Sequence, residues 1–211
     1  MHARSLFDDE IPSRDWVLDH GFDIDLAYFK NKLPDERLWP IELDESPTHR
    51  KFPFVDRRRV FAVAERAANA DDPYAAAQLM TAAFVWGTAK SGNGAYRRYK
   101  AFEDEATPLK LHKALKLVRK EGALSAYRAM SARGSLKILH LAPAFFTKFL
   151  YFGGYGAKSY LQQPVILDQR VAQALEHFTG LDWSGIHWSV DQYSTYLDLV
   201  KDWANEYDTA E

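Results

Sequence analysis

Cysteine is absent from this chain. That excludes disulfides, thiolate zinc sites, iron–sulfur clusters and a cysteine nucleophile, and it suits a reducing compartment. Also missing is any apolar run of the ~18–20 residues that a membrane-spanning helix requires. The opening residues, Met1 to Glu10, have no apolar stretch of the kind a signal peptide carries. A soluble, cytoplasmic protein with no membrane partner is therefore expected. No segment alternates apolar and polar residues long enough to argue for a sheet, and no internal repeat is present. His112 and His140 lack a second ligand at metal-binding spacing, and Gly92-Asn93-Gly94 is too short a glycine signal for a nucleotide-binding loop. Neither a metal nor another cofactor is expected.

What is present is enough apolar material for one core. Of 211 residues 47% are hydrophobic and 14% aromatic, which suits a single packed domain with at most a small appendage. The net charge of −2 conceals a sharp division. Between Lys90 and Lys158 stand 14 Lys and Arg against 4 Asp and Glu, whereas the rest of the chain carries 13 against 25. A basic block between acidic flanks points to one face built for a polyanion and another that keeps the protein dissolved. Lysine-rich helix faces turned to water would give the same count.

The chain reads as mostly α. Residues 1–55 form an irregular N-terminal segment packed on the core, with Trp16, Phe22, Ile24, Leu26, Tyr28 and Phe29 as apolar anchors and four prolines between Pro34 and Pro53. Residues 56–211 form the main domain. Asp56 is placed to cap a helix through Val60, Phe61 and Val63, and Asp72-Pro73 opens a buried, alanine-rich helix from Tyr74 to about Trp86. Basic helical segments follow, with Leu109, Leu115 and Val118 interleaved with Lys110, Lys113, Lys116, Arg119 and Lys120. A short helix spans Ala123 to Met130. Ser135 is placed to cap another through Leu136, Ile138 and Leu139, broken by Pro143, and the helix from Phe145 to Phe152 should stop at Gly153-Gly154. Asp168 opens a helix to about Phe178, and Tyr193, Tyr196, Leu197, Val200 and Trp203 make a core-facing stripe on the last one.

The most informative stretch runs from Leu136 to Leu175: a hairpin at Ala142-Pro143-Ala144-Phe145-Phe146-Thr147-Lys148, a glycine-rich loop, then Val165-Ile166-Leu167-Asp168 at a helix start. It resembles the helix-hairpin-helix DNA glycosylases, especially the 8-oxoguanine glycosylase branch. There a Leu-Pro-Gly-(Val/Ile)-Gly-Thr-Lys hairpin is followed by an aspartate that begins a helix. Over about 40 residues the match is close; a fainter match extends to Phe84-Val85-Trp86-Gly87 and the loop through Tyr96-Arg97. The compact form is also similar to bacterial antiviral glycosylases that remove glucosylated hydroxymethylcytosines from phage DNA.

The resemblance implies a compact helical bundle, duplex DNA as partner, action as a monomer, and Lys148 and Asp168 as catalytic residues. A base is attacked at its glycosidic bond only after extrusion from the stack. Cleavage builds positive charge on the sugar, which a carboxylate stabilises, while a lysine amine freed of its proton attacks the sugar carbon. Taken alone, Lys148 reads as an exposed charge and Asp168 as an N-cap. The resemblance also implies DNA contacts from the hairpin residues Pro143, Ala144, Phe146 and Thr147, and a duplex wedge from Asn93, Tyr96 and Arg97. Lys113 and Lys116 would meet phosphates, and Trp86, Trp188 and Trp203 would line a base pocket. Two hairpin glycines that let backbone approach a phosphate are replaced by Ala144 and Phe146, so a hairpin metal is not expected. Two other readings stay open: a non-catalytic helix-hairpin-helix DNA-binding module, and a domain whose basic helices meet an acidic partner.

Overall fold

The computed structural model describes residues 11–49, 51–88, 99–158 and 161–206. The chain is mostly helical. Two short helices, α1 (Arg14–Leu18) and α2 (Leu26–Lys30), flank strand β1 (Gly21–Asp23); strands β2 (Thr48–His49) and β3 (Phe52–Asp56) follow. Helices α3 (Arg57–Asn69), α4 (Pro73–Thr88), α5 (Thr107–Glu121), α6 (Ala123–Met130), α7 (Pro143–Gly154), α8 (Gln169–Thr179) and α9 (Val190–Glu206) complete the order. β3 is the middle strand of a small antiparallel sheet, pairing Phe22 with Val55 on one side and Thr48 with Pro53 on the other. No sheet was expected; its strands are too short to leave a run of alternation in the sequence. β3 passes directly into α3, whose cap is Asp56, accepting the Arg59 N–H at 2.8 Å. The N-terminal segment shares the core, with Ile24, Leu26, Phe29, Leu38 and Leu43 buried in the same cluster as the helices, while Trp16 stands exposed.

α4 is the centre of the bundle, packed against α3, α5 and α7. Its cap is the expected one, Asp72 accepting the Tyr74 N–H at 2.9 Å. Nearly every residue from Ala75 to Trp86 is buried, because a helix with neighbours on several sides must be apolar all round, and its alanines let those neighbours approach closely. Among the described residues no helix is long and apolar enough to cross a membrane.

One expectation for the hairpin region needs correction. Leu136 to Leu139 is not a helix; residues 131–142 form successive turns. The chain doubles back on the end of α6, where Leu136 N–H bonds the Ala129 carbonyl at 2.8 Å, and it leaves through His140 in the left-handed region at φ 63°. Gly134 makes this return possible, since a Cβ there would lie 2.0 Å from the Ala129 oxygen. The helix expected to stop at Gly153-Gly154 does end there, with Gly154 the last residue of α7. A Cβ on Gly153 would meet Leu115 at 2.6 Å, and one on Gly154 would meet Pro164 at 2.7 Å and Val118 at 2.8 Å, so the pair marks close packing of α7 on α5.

Candidate active site

The site is built where α7 meets the start of α8. Lys148 lies in the second turn of α7, beyond Pro143, which opens the helix at no cost because its missing N–H would be unpaired there anyway. The lysine is only 5% exposed. Its Nζ donates to Asp168 Oδ2 at 2.6 Å and to the Ala144 carbonyl at 2.8 Å, and stands 5.6 Å from the Phe145 ring centroid. Room for the stem comes from α4: a Cβ on Gly87 would lie 2.8 Å from Lys148 Cδ and 3.1 Å from Cε.

Asp168 serves two partners with two oxygens. Oδ1 caps α8, accepting the N–H groups of Arg170 at 3.1 Å and Val171 at 3.2 Å; Oδ2 faces the amine. Burial pushes its carboxyl up, but the Lys148 charge and the hydrogen bonds from Lys148, Val171 and Arg170 outweigh it, and the group is held below its ordinary value. Asp168 is therefore a carboxylate at neutral pH.

The residues before Asp168 are fastened by hydroxyls. Thr147, fully buried, accepts the Leu167 N–H at 3.0 Å and donates to the Pro143 carbonyl at 2.7 Å, with the Leu167 carbonyl a second acceptor at 3.2 Å. Tyr193 donates to Val165 O at 3.0 Å and accepts its N–H at 3.3 Å, while Tyr196 donates to Ile166 O at 3.2 Å. Burial raises both tyrosine hydroxyls, and for Tyr196 the Asp168 charge adds to it, so both keep their protons and act as donors. Thr147 joined to Leu167 sets the neighbouring pair, Lys148 and Asp168, face to face. Gly87, Thr147, Tyr193 and Tyr196 were not foreseen in these positioning roles. The one visible signal was that the apolar stripe of α9 carried two phenol hydroxyls three residues apart.

Residues 15–211 match the family model described as "Putative 8-oxoguanine DNA glycosylase OGG-like protein". The chain belongs to that family. Membership carries the DNA glycosylase class of activity and DNA as the substrate polymer. No match was found among curated proteins or among solved structures.

Other residues expected at the site of this OGG-like chain are distributed differently. Pro143, Phe146 and Thr147 are buried, Phe146 with its ring 5.0 Å from that of Tyr127, while Ala142, Ala144 and Phe145 are partly exposed. Trp86 is buried under the Arg57 guanidinium, 5.0 Å from the ring, and donates to His20 O at 3.1 Å. Trp188 is buried and donates to Trp183 O at 3.1 Å; Trp203 is half-buried against the core. Trp86 is packed into the bundle, Trp188 borders a cavity beside the turns that precede α7, and Trp203 is partly exposed on α9. Lys113 and Lys116 are exposed on α5, the latter 2.8 Å from Asp71. Asn93, Tyr96 and Arg97 lie outside the described residues. Among the described residues no group of three or more His, Asp or Glu could hold a metal ion.

Proposed function

We propose that this chain, acting as a monomer in the cytoplasm, flips a modified base out of duplex DNA and excises it with Lys148 and Asp168. The observation that carries the reading is the 2.6 Å contact between a buried lysine amine and a carboxylate that stays ionised. A buried charge pair contributes little to stability compared with apolar residues of the same volume, so its presence here has a chemical use. Asp168 takes a proton from the ammonium, and as it passes that proton on to the departing base its returning negative charge stabilises the positive charge on the sugar. The freed amine nitrogen bonds to C1′ as the C1′–base bond breaks; the base leaves with that electron pair and takes the proton from Asp168. A proton passing from the nitrogen to the ring oxygen opens the sugar and leaves a protonated Schiff base at C1′. Lys113 and Lys116 contact phosphates, in keeping with their exposure on α5.

For the base itself we propose a bulky phage modification such as glucosylated hydroxymethylcytosine, removed in antiviral defence, on the strength of the resemblance of the compact form to antiviral glycosylases. The test is base release from duplexes carrying oxidised, alkylated, deaminated or glucosylated bases, read by mass spectrometry, with borohydride present to reduce the Schiff base to a stable amine. Release of one class of base with a covalent adduct that Lys148→Gln abolishes is the expected result. A second reading is favoured by the same ion pair, which also holds the amine in its charged form: Asp168 then directs a water molecule and leaves an intact abasic site. Base release without an adduct would establish that reading. No release from any duplex, with DNA binding intact, would favour a non-catalytic module.

A further inference from the structure

The turns between α6 and α7 border a cavity of about 740 Å³. Arg128, Arg133, Lys137 and His140 line it together with the buried Phe146 and Trp188. No Asp or Glu is among its lining residues. Elsewhere on the described surface Lys30, Arg37, Arg58, Arg59, Arg66, Lys110 and Lys116 face carboxylates, while exposed cations such as Lys113, Lys120, Arg170 and Lys201 enter no ion pair among the described residues. What sets this patch apart is that its cations gather at one cavity with no acidic lining. Arg128, Arg133 and Lys137 are exposed, and none enters an ion pair among the described residues. Three unneutralised cations on one small surface repel one another, and an anionic partner relieves that repulsion.

The backbone beside them has little left to offer an anion. Phe145 and Phe146 N–H groups both bond the Ala142 carbonyl, at 3.0 and 3.1 Å, and Pro143 has no N–H. Of residues 143–146 only Ala144 keeps its N–H for a ligand. We infer that Arg128, Arg133 and Lys137 grip the sugar–phosphate backbone of duplex DNA, replacing by side-chain charge the contact that the hairpin backbone no longer makes. Duplex DNA is the occupant because charge and place agree. Pro143 borders the cavity, and the carbonyl of the next residue, Ala144, holds the Lys148 amine. A duplex presented to that amine passes this turn. The inference rests on the glycosylase reading.

The test is affinity for duplex DNA by fluorescence anisotropy across a range of salt. Each phosphate contact adds about 0.9 to the log–log salt slope. Arg133→Ala/Lys137→Ala should flatten the slope by about 1.8 and weaken binding at least about tenfold at low salt. Arg133→Lys/Lys137→Arg, which keeps the charges, should restore the wild-type slope, which separates lost charge from a disturbed fold. Lys201→Ala, exposed on α9, should leave the slope unchanged. A wild-type slope in the double alanine variant overturns the inference and spares the glycosylase reading; an acidic protein partner for the cavity would give that result. A wild-type chain with no salt-dependent affinity for duplex overturns both.

Discussion

Asp168→Asn tests the pair most directly, because it removes the charge and keeps the shape. Asparagine caps a helix as well as aspartate, so the Oδ1 bonds to Arg170 and Val171 should survive and α8 should keep its start. What is lost is the anion facing a lysine that is 5% exposed. Breaking a buried ion pair from one side costs about 3–5 kcal/mol. Here the cost should be smaller, about 2 kcal/mol, since the Asp168 side chain is 26% exposed and Lys148 keeps the Ala144 carbonyl and the Phe145 ring. For a chain of this size that corresponds to a fall in Tm of roughly 4–8 °C. The double variant Lys148→Met/Asp168→Asn should recover most of that loss, because no uncompensated charge remains. The pH dependence follows from the depressed carboxyl. Its folded value lies below its unfolded value of about 4, so the stabilisation is full above about pH 4 and disappears as pH falls through the folded value. The acid limb of stability should therefore be shallower in Asp168→Asn. Base release should fall by at least about a hundredfold, as for loss of one electrostatic stabiliser in other enzymes. Denaturant unfolding from pH 2 to 7, with single-turnover release of base at pH 7, measures all of this. Equal stability of the single and double variants, with an unchanged acid limb, would refute the view that a charged pair is buried here.

Gly87→Ala should leave Tm unchanged or slightly raised, since alanine is the better helix former by about 1 kcal/mol. It should nevertheless slow adduct formation about tenfold or more, because the new Cβ displaces the flexible Lys148 stem rather than backbone, and a misplaced amine loses its near-attack geometry. An unchanged kcat would show that the amine tolerates the shift. Thr147→Val keeps the side-chain shape but leaves the buried Leu167 N–H without its partner, at a cost of about 1–3 kcal/mol. It should lower kcat more than it raises KM, with Thr147→Ser restoring both; a loss of stability alone would confine Thr147 to the fold.

Much of the local structure is legible in the amino-acid sequence. Asp56, Asp72 and Asp168 cap α3, α4 and α8 as their positions ahead of apolar runs foretell, because a cap involves residues only two or three apart. The burial of α4 is written in its alanines. Lys148 and Asp168 are singled out only through the resemblance to the helix-hairpin-helix glycosylases; taken alone the one reads as an exposed charge and the other as a cap. Their contact is not legible, because two residues twenty apart are brought to 2.6 Å only when Thr147 fastens α7 to Leu167 and Tyr193 and Tyr196 hold the two residues before it. The turns from 131 to 142 likewise depend on how closely the chain can return over Ala129, and Gly87, Gly153 and Gly154 mean nothing until their neighbours arrive. Propensity, capping and periodicity act over one or two helical turns and travel with the sequence. Which tryptophan is buried, which hydroxyl finds a carbonyl and which cation is left unpaired depend on packing between distant segments, and only the tertiary structure decides those.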